Sequence, residues 1–322
     1  MTRPCADTTM VDDQAPATAQ MRREVLQGLR ARPKRLPQKY LYDERGAALF
    51  EEICEQPEYY IPRIETRILR VDGQAIAAAL GPDALLIEPG SGSGIKTRLL
   101  LERARPVAYV PIDISLEQLA RYSAELARDF PTLEVLPVCA DFLGEIELPE
   151  PRRAARRTIV FIPGSTIGNF TPEVAVELLR RKRALVGAGG ALLLGVDLKK
   201  EPALLEPAYD DAAGVSAEFA LNVLRRLNEE LGGNLRRERF GYKAVYNESE
   251  GRVEMNLVSL EEQAPTVAGT RIPLSKGERI RTEFSYKYTV EEFAALAGQA
   301  GLTVRRLWTD PLGLFSVQYL TP

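Results

Sequence analysis

The turn at residues 90–94 carries the residues best suited to chemistry, because it reads Gly-Ser-Gly-Ser-Gly between a predicted strand and a predicted helix. The strand is the apolar run at residues 85–87, and a helical pattern begins at Lys96. Glycine has no Cβ atom, so it lets a ligand approach the backbone closely. Nucleotide-like ligands bind where the first strand of an open α/β sheet ends. The turn therefore predicts such a site, and a structural turn that binds no ligand is the alternative.

Two acidic residues follow the next predicted strands in the same way. Asp113 ends the second strand, where a carboxylate can accept hydrogen bonds from both hydroxyls of a ribose. The alternative role of Asp113 is to cap the helix that follows it. Asp141 and Phe142 follow the third strand, where a carboxylate can accept from an adenine amino group and a ring can pack on the base. Because the three signals fall at successive strand ends, they predict a ligand that contains a nucleoside.

The spacing of the glycines bears on which cofactor is bound. Dinucleotide-binding folds favour the pattern Gly-x-Gly-x-x-Gly, whereas this turn has Gly-x-Gly-x-Gly and then Ile95. With Glu88 included, the pattern resembles the first motif of class I methyltransferases, whose S-adenosylmethionine has no phosphate. We therefore expect S-adenosylmethionine (SAM), with a nicotinamide-dependent oxidoreductase on a similar sheet as the alternative.

The surrounding pattern predicts a doubly wound α/β fold. Short apolar strands that alternate with helices indicate a parallel sheet covered on both faces. The segment at residues 201–288 breaks this alternation and is predicted to be an inserted cap, with a helix at 215–231. Predicted strands are residues 84–88, 107–113, 133–139, 158–162, 191–196, 237–246, 252–260, 302–308 and 314–320, the last two joined by a turn at 310–313. Other predicted helices are residues 18–29, 47–55, 64–80, 96–105, 116–129, 172–186 and 290–300, with a loop at 33–46.

The composition excludes several classes of site. The chain has no histidine, which excludes Ser-His and Cys-His dyads and any metal bound by histidine. Its three cysteines, Cys5, Cys54 and Cys139, form no metal-binding motif and no disulfide framework, so we expect no metal and a cytoplasmic setting. A net charge of −3 and the lack of a long apolar run argue against nucleic-acid and membrane partners. We expect a monomer, because no exposed apolar stripe stands out.

A family resemblance rests on motifs spread over nearly the whole chain. They are Leu36-Pro37-x-Lys39-x-x-Tyr42-Asp43, Pro57-Glu58-Tyr59-Tyr60, Gly164-Ser165-Thr166-Ile167-Gly168-Asn169, Ala208-Tyr209-Asp210-Asp211-Ala212-Ala213-Gly214-Val215, Arg252-x-Glu254-Met255, Thr282-Glu283-x-Ser285 and Trp308-Thr309-Asp310-Pro311. From about Arg22 to its end, the chain resembles the histidine N-alpha-methyltransferases of ergothioneine biosynthesis.

The resemblance implies both a fold and a reaction. The fold is α/β, with a Rossmann-like class I methyltransferase sheet at residues 64–198 and 289–322. Residues 18–63 and 199–288 would form a second, smaller α+β substrate-binding domain, after a flexible tail at 1–17. The reaction is three successive methyl transfers from SAM to the α-amino group of L-histidine, through its mono- and dimethyl forms, to the trimethylated betaine hercynine.

The resemblance also implies roles for individual residues. The cofactor would be held by Gly90, Lys96, Asp113, Asp141 and Phe142. The substrate would be held by Tyr59, Gly164, Asn169, Tyr209, Met255, Glu283, Phe284 and Ser285. Tyr42 and Tyr59 are the predicted catalytic residues, through which the amine proton leaves unless it passes directly to water.

The residue types fit these roles. Asn169 and Tyr209 can hydrogen-bond an α-carboxylate. Glu283 and Ser285 flank Phe284, so in a strand both point to the same face and can grip the two ring nitrogens of an imidazole. This pairing favours histidine over tryptophan or tyrosine, the substrates of a sister methyltransferase. A ligand-binding protein without activity is the remaining alternative.

Some positions bear on substrate choice rather than on the cofactor. Glu283 has an alternative role in a surface salt bridge with Arg281 or Lys287. Pro89 stiffens the approach to the glycine turn, and Asn256 follows Met255 in its motif. Pro89, Asn256 and the large ring of Phe284 are departures that bear on substrate choice more than on cofactor choice.

Overall fold

The structure is a computed structural model that describes residues 11–14, 18–92, 94–144 and 146–322. Its strands are β1 Asp12–Gln14, β2 Lys34–Arg35, β3 Ala84–Pro89, β4 Ala108–Asp113, β5 Glu134–Val135, β6 Val138–Ala140, β7 Arg157–Ile162, β8 Ala191–Asp197, β9 Phe240–Asn247, β10 Arg252–Ser259, β11 Thr266–Val267, β12 Thr270–Arg271, β13 Arg279–Tyr286, β14 Thr303–Thr309 and β15 Phe315–Thr321. Its α-helices are α1 Thr18–Arg30, α2 Glu44–Cys54, α3 Ile61–Val71, α4 Gly73–Leu80, α5 Ile95–Ala104, α6 Leu116–Asp129, α7 Pro172–Val186, α8 Pro202–Tyr209, α9 Val215–Leu231 and α10 Val290–Gln299.

The larger sheet has the strand order β1-β6-β4-β3-β7-β8-β15-β14, with β5 beside β4. The strands from β1 to β8 in this order run parallel, whereas β15 is antiparallel to both β8 and β14. The chain order reverses at β3, which has β4 on one side and β7 on the other. Ligands bind in such sheets at this reversal, outside the carboxyl ends of the strands. The sheet is thus the predicted Rossmann-like sheet of class I methyltransferases.

Side chains of the larger sheet alternate between two apolar layers. Along β7, Ile159 and Phe161 join one hydrophobic cluster, while Val160 and Ile162 join another. Every residue of β8 is buried, as expected for a parallel strand that is covered on both faces. Helices α3 to α6 contribute to the first layer, and helices α7 and α10 to the second. This double packing fixes the strand ends that carry the site.

The smaller sheet has the order β2-β13-β10-β9. Strands β9, β10 and β13 are antiparallel, and β2 runs parallel to β13. Helix α9 packs against β9 and β10 and also against α2, which comes from the N-terminal part of the chain. Segments far apart in sequence therefore meet around this sheet. The division of the chain into two domains along these lines stays a prediction.

The predicted element bounds were wrong where local hydrogen bonds decide them. Helix α2 begins at Glu44 rather than at Ala47, because the carboxylate of Asp43 accepts a hydrogen bond from the Gly46 amide at 2.8 Å. The predicted loop before it contains β2 and a 3₁₀ turn, Gln38–Leu41. The predicted helix at 64–80 is divided at Asp72 into α3 and α4.

Two further predictions differ from the structure. The predicted strand at 133–139 is split into β5 and β6 around Pro137, which has no amide to donate to a sheet. The predicted tail contains β1, which pairs in parallel with β6. The rest of that tail, residues 1–10 and 15–17, lies outside the described residues. Within the described residues, each helix is either too short or too polar to cross a membrane.

The predicted hairpin between the last two strands is confirmed. The carboxylate of Asp310 accepts hydrogen bonds from the amides of Leu312, Leu314 and Phe315, at 2.7 to 2.9 Å. These bonds hold the turn between β14 and β15 and place β15 against β8.

Candidate active site

A cavity of about 1030 Å³ opens at the carboxyl ends of β3, β4, β6 and β7 and extends to the smaller sheet. Its size is that of a site for a cofactor and a small substrate together. The structure brings every predicted site residue to its wall. These residues are Tyr42, Tyr59, Gly90, Lys96, Asp113, Asp141, Phe142, Gly164, Asn169, Tyr209, Met255, Glu283, Phe284 and Ser285.

The glycine turn leads from β3 into α5 through backbone conformations that favour glycine. Gly90, Gly92 and Gly94 have φ angles of 71°, 50° and 65°, in the left-handed region. A Cβ atom on Gly94 would lie about 2 Å from the ring of Tyr122. The Gly90 amide donates to the carbonyl of Ile112 at 2.7 Å, which ties the turn to β4. The backbone of the turn can therefore face the cavity because these positions carry no side chain, which would be strained or would clash there.

Two carboxylates, those of Glu88 and Asp113, lie next to the turn. Glu88 is buried beneath it and accepts hydrogen bonds from Thr97 at 2.6 Å and Tyr109 at 2.5 Å, and burial raises its pKa to about 7. Asp113 accepts from the amides of Gly92 at 3.2 Å and Ser115 at 3.1 Å. Burial raises the pKa of Asp113, partly offset by these amides. Asp113 thus connects β4 to the glycine turn, and its carboxylate faces the cavity where a ribose can reach it.

Asp113 does not have the alternative role of capping the next helix. Helix α6 begins at Leu116, and the residue in the N-cap position is Ser115. Asp113 lies two residues before that cap and accepts from its amide. Pro89 is the last residue of β3 and stays in register with Ile112, so it leaves the strand intact.

Asp141 carries an ion pair that sequence reasoning missed. Its carboxylate accepts from the Leu143 amide at 3.0 Å and from the ammonium of Lys39 at 2.8 Å. Lys39 also pairs with Glu24 of α1 at 2.9 Å, and these carboxylates raise its pKa against the opposing effect of burial. Phe142 packs edge-on against Phe170, with ring centres 6.1 Å apart. The N-terminal helix is therefore linked through Lys39 to the predicted adenine site.

Lys96 is held by a second residue that was not predicted. Glu65, on α3, is completely buried and accepts a hydrogen bond from the Lys96 ammonium at 2.6 Å. The same oxygen accepts from the Gly164 amide at 2.8 Å. Gly164 has a φ of 72°, so the loop after β7 turns toward Lys96 at this point. Glu65 thereby fixes the position of Lys96, a predicted cofactor residue, relative to Gly164, a predicted substrate residue.

Glu283 lies half-buried in the cavity wall, and its alternative role in a surface salt bridge is wrong. Its carboxylate accepts a hydrogen bond from the side-chain amide of Asn169 at 3.2 Å. Burial raises the pKa of Glu283 to about 7, and the positive charge of Lys287 acts in the opposite direction. Arg281 stacks over the ring of Phe284, 4.9 Å from its centre, instead of pairing with Glu283.

Phe284 and Asn256 are accommodated without blocking the site. The ring of Phe284 also has the guanidinium of Arg252 5.3 Å from its centre and meets Tyr286 edge-on at 5.3 Å. Asn256 turns its side-chain amide to the carbonyl of Glu254 at 3.1 Å. The side chain of Asn256 therefore hydrogen-bonds within its own strand, next to the register shift that follows Met255 in β10.

Ser285 and Tyr209 share a buried lysine. The hydroxyl groups of Ser285 and Tyr209 lie 3.0 Å apart. Lys287 donates to Tyr209 at 2.6 Å and to Ser285 at 2.8 Å, and it forms an ion pair with Asp197 at 2.7 Å. Both Lys287 and Asp197 are completely buried. The signal that could have revealed Lys287 is its spacing, since it follows Ser285 by two residues and so shares its face.

Aromatic rings form the wall between the two ends of the cavity. Tyr42 meets Phe50 and Phe219 edge-on, with ring centres 5.6 and 5.2 Å apart. Tyr59 meets Tyr209 edge-on at 5.8 Å. Burial raises the pKa of both Tyr42 and Tyr59 well above the usual value of a tyrosine. Neither hydroxyl is therefore a phenolate base at neutral pH, although each can hydrogen-bond an amine.

Metal-ligating side chains do not cluster within the described ranges. No group of three or more histidine, cysteine, aspartate or glutamate side chains among these residues can hold a metal ion. The donors around the cavity are instead isolated carboxylates, hydroxyls and amides, which suit a nucleoside and an amino acid.

Comparison with known proteins agrees with this geometry. Residues 21–322 match the model of the family described as "Histidine-specific methyltransferase, SAM-dependent". The chain is 39% identical to the histidine N-alpha-methyltransferase of Mycolicibacterium smegmatis, over 98% of each chain. It is 38% identical to the histidine N-alpha-methyltransferase of Mycobacterium tuberculosis, over 92% of this chain and 93% of that one. It is 34% identical to ergothioneine biosynthesis protein 1 of Neurospora crassa, over 86% of this chain and 32% of that one. The chain therefore belongs to the family of histidine-specific, SAM-dependent methyltransferases.

Proposed function

We propose that this enzyme methylates the α-amino group of L-histidine three times, with SAM as the methyl donor, and so forms hercynine for ergothioneine biosynthesis. The observation that carries the proposal is the position of Glu283. It is a half-buried carboxylate in the cavity wall, two residues before Ser285 and within hydrogen-bond distance of Asn169. A carboxylate is costly to bury unless a donor reaches it, and an imidazole N–H is such a donor.

The residues at the strand ends fit SAM. Asp113 offers its carboxylate to the ribose, and Asp141 and Phe142 offer an acceptor and a ring to the adenine. Lys96 supports the binding of the methionine carboxylate, from the first turn of α5. When bound, SAM would supply an electrophilic methyl group on its sulfonium, open to in-line attack by the neutral amine of the substrate, with the thioether as the leaving group.

The other end of the cavity fits an amino acid. Asn169 has a second amide proton beyond the one that it donates to Glu283, and this proton can reach an α-carboxylate. A Cβ atom on Gly164 would lie 3.2 Å from the ammonium of Lys96, so the missing side chain leaves room for that ammonium beside the substrate site. We propose that these residues orient the α-amine toward the sulfonium methyl group.

The chemical step needs little acid–base help from the protein. In the first two transfers the amine lone pair forms the N–C bond, the C–S bond breaks with its electron pair on sulfur, and one N–H proton leaves. In the third transfer the neutral dimethylated amine has no N–H proton and becomes the quaternary ammonium. Tyr42 and Tyr59 stay protonated, so they orient the amine and relay a proton only by releasing their own hydroxyl proton to water as they accept one. Proximity and orientation then supply most of the rate enhancement.

The geometry favours histidine over the tryptophan or tyrosine of a sister enzyme. An indole N–H can satisfy Glu283, but an indole has no acceptor nitrogen for Ser285. A phenol can pair with one of these residues through its single hydroxyl. An imidazole has two ring nitrogens and can pair with both, which leaves no polar group of the pocket unpaired.

Paired variants test this assignment. Glu283→Gln is predicted to reduce kcat/KM for histidine about tenfold to a hundredfold, since it replaces a charged acceptor of the imidazole N–H by a neutral amide oxygen. The matched control is Glu254→Gln, because Glu254 lies on the adjacent strand and pairs with Arg252 at 2.7 Å. The control is expected to retain histidine kinetics. Equal histidine kinetics in both variants, or a wild-type preference for tryptophan or tyrosine, would overturn the assignment.

The organisation of the enzyme completes the proposal. We propose that the smaller sheet, with α2, α8 and α9, acts as the substrate-binding domain, and that the larger sheet acts as the SAM-binding domain. The net charge of −3 supports a partner set limited to small molecules rather than nucleic acid or membranes. We also propose a cytoplasmic monomer, for which light scattering after size-exclusion chromatography is the test.

A further inference from the structure

The buried ammonium of Lys287 donates all three of its protons to acceptors within the protein. Its three acceptors are Asp197 at 2.7 Å, Tyr209 at 2.6 Å and Ser285 at 2.8 Å. An ammonium is a donor only, with three protons. Both hydroxyl oxygens therefore act as acceptors toward Lys287, whatever else they do.

This arrangement restricts what Tyr209 can still offer. A phenolic oxygen delocalises one lone pair into its ring and so accepts a single strong hydrogen bond. Lys287 already supplies that bond to Tyr209. Between the two hydroxyls, 3.0 Å apart, Tyr209 must then be the donor and Ser285 the acceptor.

Ser285 is left with only its proton to offer. Its oxygen accepts from Lys287 and from Tyr209, and Tyr209 has no lone pair free to take the Ser285 proton. If a substrate carboxylate takes the Tyr209 proton instead, one lone pair of Ser285 becomes free and Ser285 can also accept. Ser285 is therefore committed to donate into the cavity while Tyr209 donates to it, which leaves the substrate carboxylate to Asn169.

We propose that Lys287 is a positioning residue that commits Ser285 to donate into the cavity, so that the site selects a ring with an acceptor nitrogen at Ser285. The opposite nitrogen carries the proton and donates it to Glu283. The selected side chain is thus the neutral imidazole in one tautomer. This inference rests on the proposed function, because it assumes that the amino-acid side chain lies between Glu283 and Ser285.

Ring analogues of histidine separate the acceptor from the donor. The 4- and 5-thiazolylalanine isomers each keep one acceptor nitrogen, at one or the other of the two imidazole nitrogen positions. Thienylalanine has a similar ring and no nitrogen. All three analogues lack an N–H for Glu283. The loss of that hydrogen bond is therefore the same for each and cancels when their kcat/KM values are compared. At pH 8.5, above its pKa of about 7, Glu283 is ionised and cannot donate to these rings.

The measured quantity is the ratio of kcat/KM for the better thiazolylalanine isomer to that for thienylalanine. We expect a ratio of about ten in the wild-type enzyme, which corresponds to one hydrogen bond. In Lys287→Met, Ser285 is no longer committed to donate, and the ratio is expected to fall toward one. The loss is expected in KM for histidine rather than in kcat, because Lys287 does not contact the reacting amine.

Lys200→Met is the matched control. Lys200 is also buried and pairs with Asp197 at 2.6 Å, but its other hydrogen bonds go to the hydroxyl of Tyr60 at 2.7 Å and to the carbonyl of Leu198 at 2.5 Å. It should lose the same kind of ion pair and keep the ratio of about ten. The single variant leaves the carboxylate of Asp197 with one lysine partner fewer. A double variant, Lys287→Met with Asp197→Asn, removes that carboxylate charge as well. It is expected to fold and to show the lowered ratio as well.

The outcomes distinguish the two levels of the argument. A wild-type enzyme that does not methylate histidine overturns the proposed function, and this inference with it. Normal histidine methylation with a wild-type ratio near one, or with an unchanged ratio in the Lys287 variants, overturns the inference alone. A lowered ratio in Lys200→Met as well would also overturn it, since a general loss of packing would then be the cause.

Discussion

Glu283 is expected to reduce the stability of the ligand-free enzyme, which makes it a sharp test of the site. Its pKa in the folded chain is raised from 4.5 to about 7 by burial. The folded state therefore holds a proton that the unfolded chain has already released between these two pH values. Stability is consequently lost as pH rises from 4.5 to about 7, and the loss is complete above pH 7.

The size of the effect follows from the shift. Each pKa unit corresponds to about 1.4 kcal/mol, so the full shift corresponds to roughly 3 kcal/mol. Water in the open cavity screens part of this, which leaves about 2 kcal/mol. Glu283→Gln removes the charge and keeps an oxygen for Asn169. We expect this variant to be more stable than the wild type at pH 8 by about 2 kcal/mol, or roughly 3 °C in melting temperature.

Thermal unfolding at several pH values measures the difference. At pH 4.5 the wild type and Glu283→Gln should melt together, and above pH 7 the variant should melt higher. Glu254→Gln, which loses an ion pair with Arg252, should show no gain at any pH. A Glu283→Gln variant that melts at or below the wild type at pH 8 would refute the claim that the charge of this half-buried carboxylate destabilises the ligand-free fold.

Other contacts lead to predictions of their own. Lys39→Met is expected to lower the free energy of unfolding by about 2 kcal/mol in urea titrations, because it breaks a half-buried network of ion pairs. Arg45→Met breaks an exposed ion pair and should lower the free energy of unfolding by under about 0.5 kcal/mol. Gly94→Ala is expected to abolish S-adenosylhomocysteine binding in calorimetry, since its Cβ would overlap a ring, while Gly92→Ala meets no neighbour within 4 Å and should weaken binding less. Tyr42→Phe should leave the pH dependence of kcat unchanged, because the raised pKa of Tyr42 keeps its hydroxyl protonated.

Each of these has an outcome that contradicts it. Equal stabilities of the Lys39 and Arg45 variants would mean that the ion pairs of Lys39 add nothing to the fold. Tight binding by Gly94→Ala would mean that the turn has another conformation when the ligand is bound. Loss of the acidic limb, on which the rate rises with pH, from the pH profile of Tyr42→Phe would identify this tyrosine as a base.

Much of the fold was predictable because its signals are local. The apolar strands and the helices between them repeat with the periods of a covered parallel sheet, and β8 is a clear example, buried along its whole length. Element ends were less predictable, because single residues decide them. The N-cap carboxylate of Asp43 moved one helix start, and Pro137 divided one strand.

The site was predictable to the extent that topology determines it. Asp113 and Asp141 meet because parallel strands end at one edge of the sheet, and the strand period puts Glu283 and Ser285 on one face. The residues that hold these groups could not be found in this way. Glu65 reaches Lys96 from a helix that is distant in sequence, and only the packed structure shows that contact.

Mass spectrometry of one reaction tests the assignment of substrate and cofactor most directly. The reaction contains the purified enzyme, SAM and an equimolar pool of the amino acids. We predict a gain of three methyl groups on histidine alone, with S-adenosylhomocysteine formed in proportion. Methylation of a different amino acid, or of none while SAM is bound, would contradict the proposed role of Glu283 and Ser285.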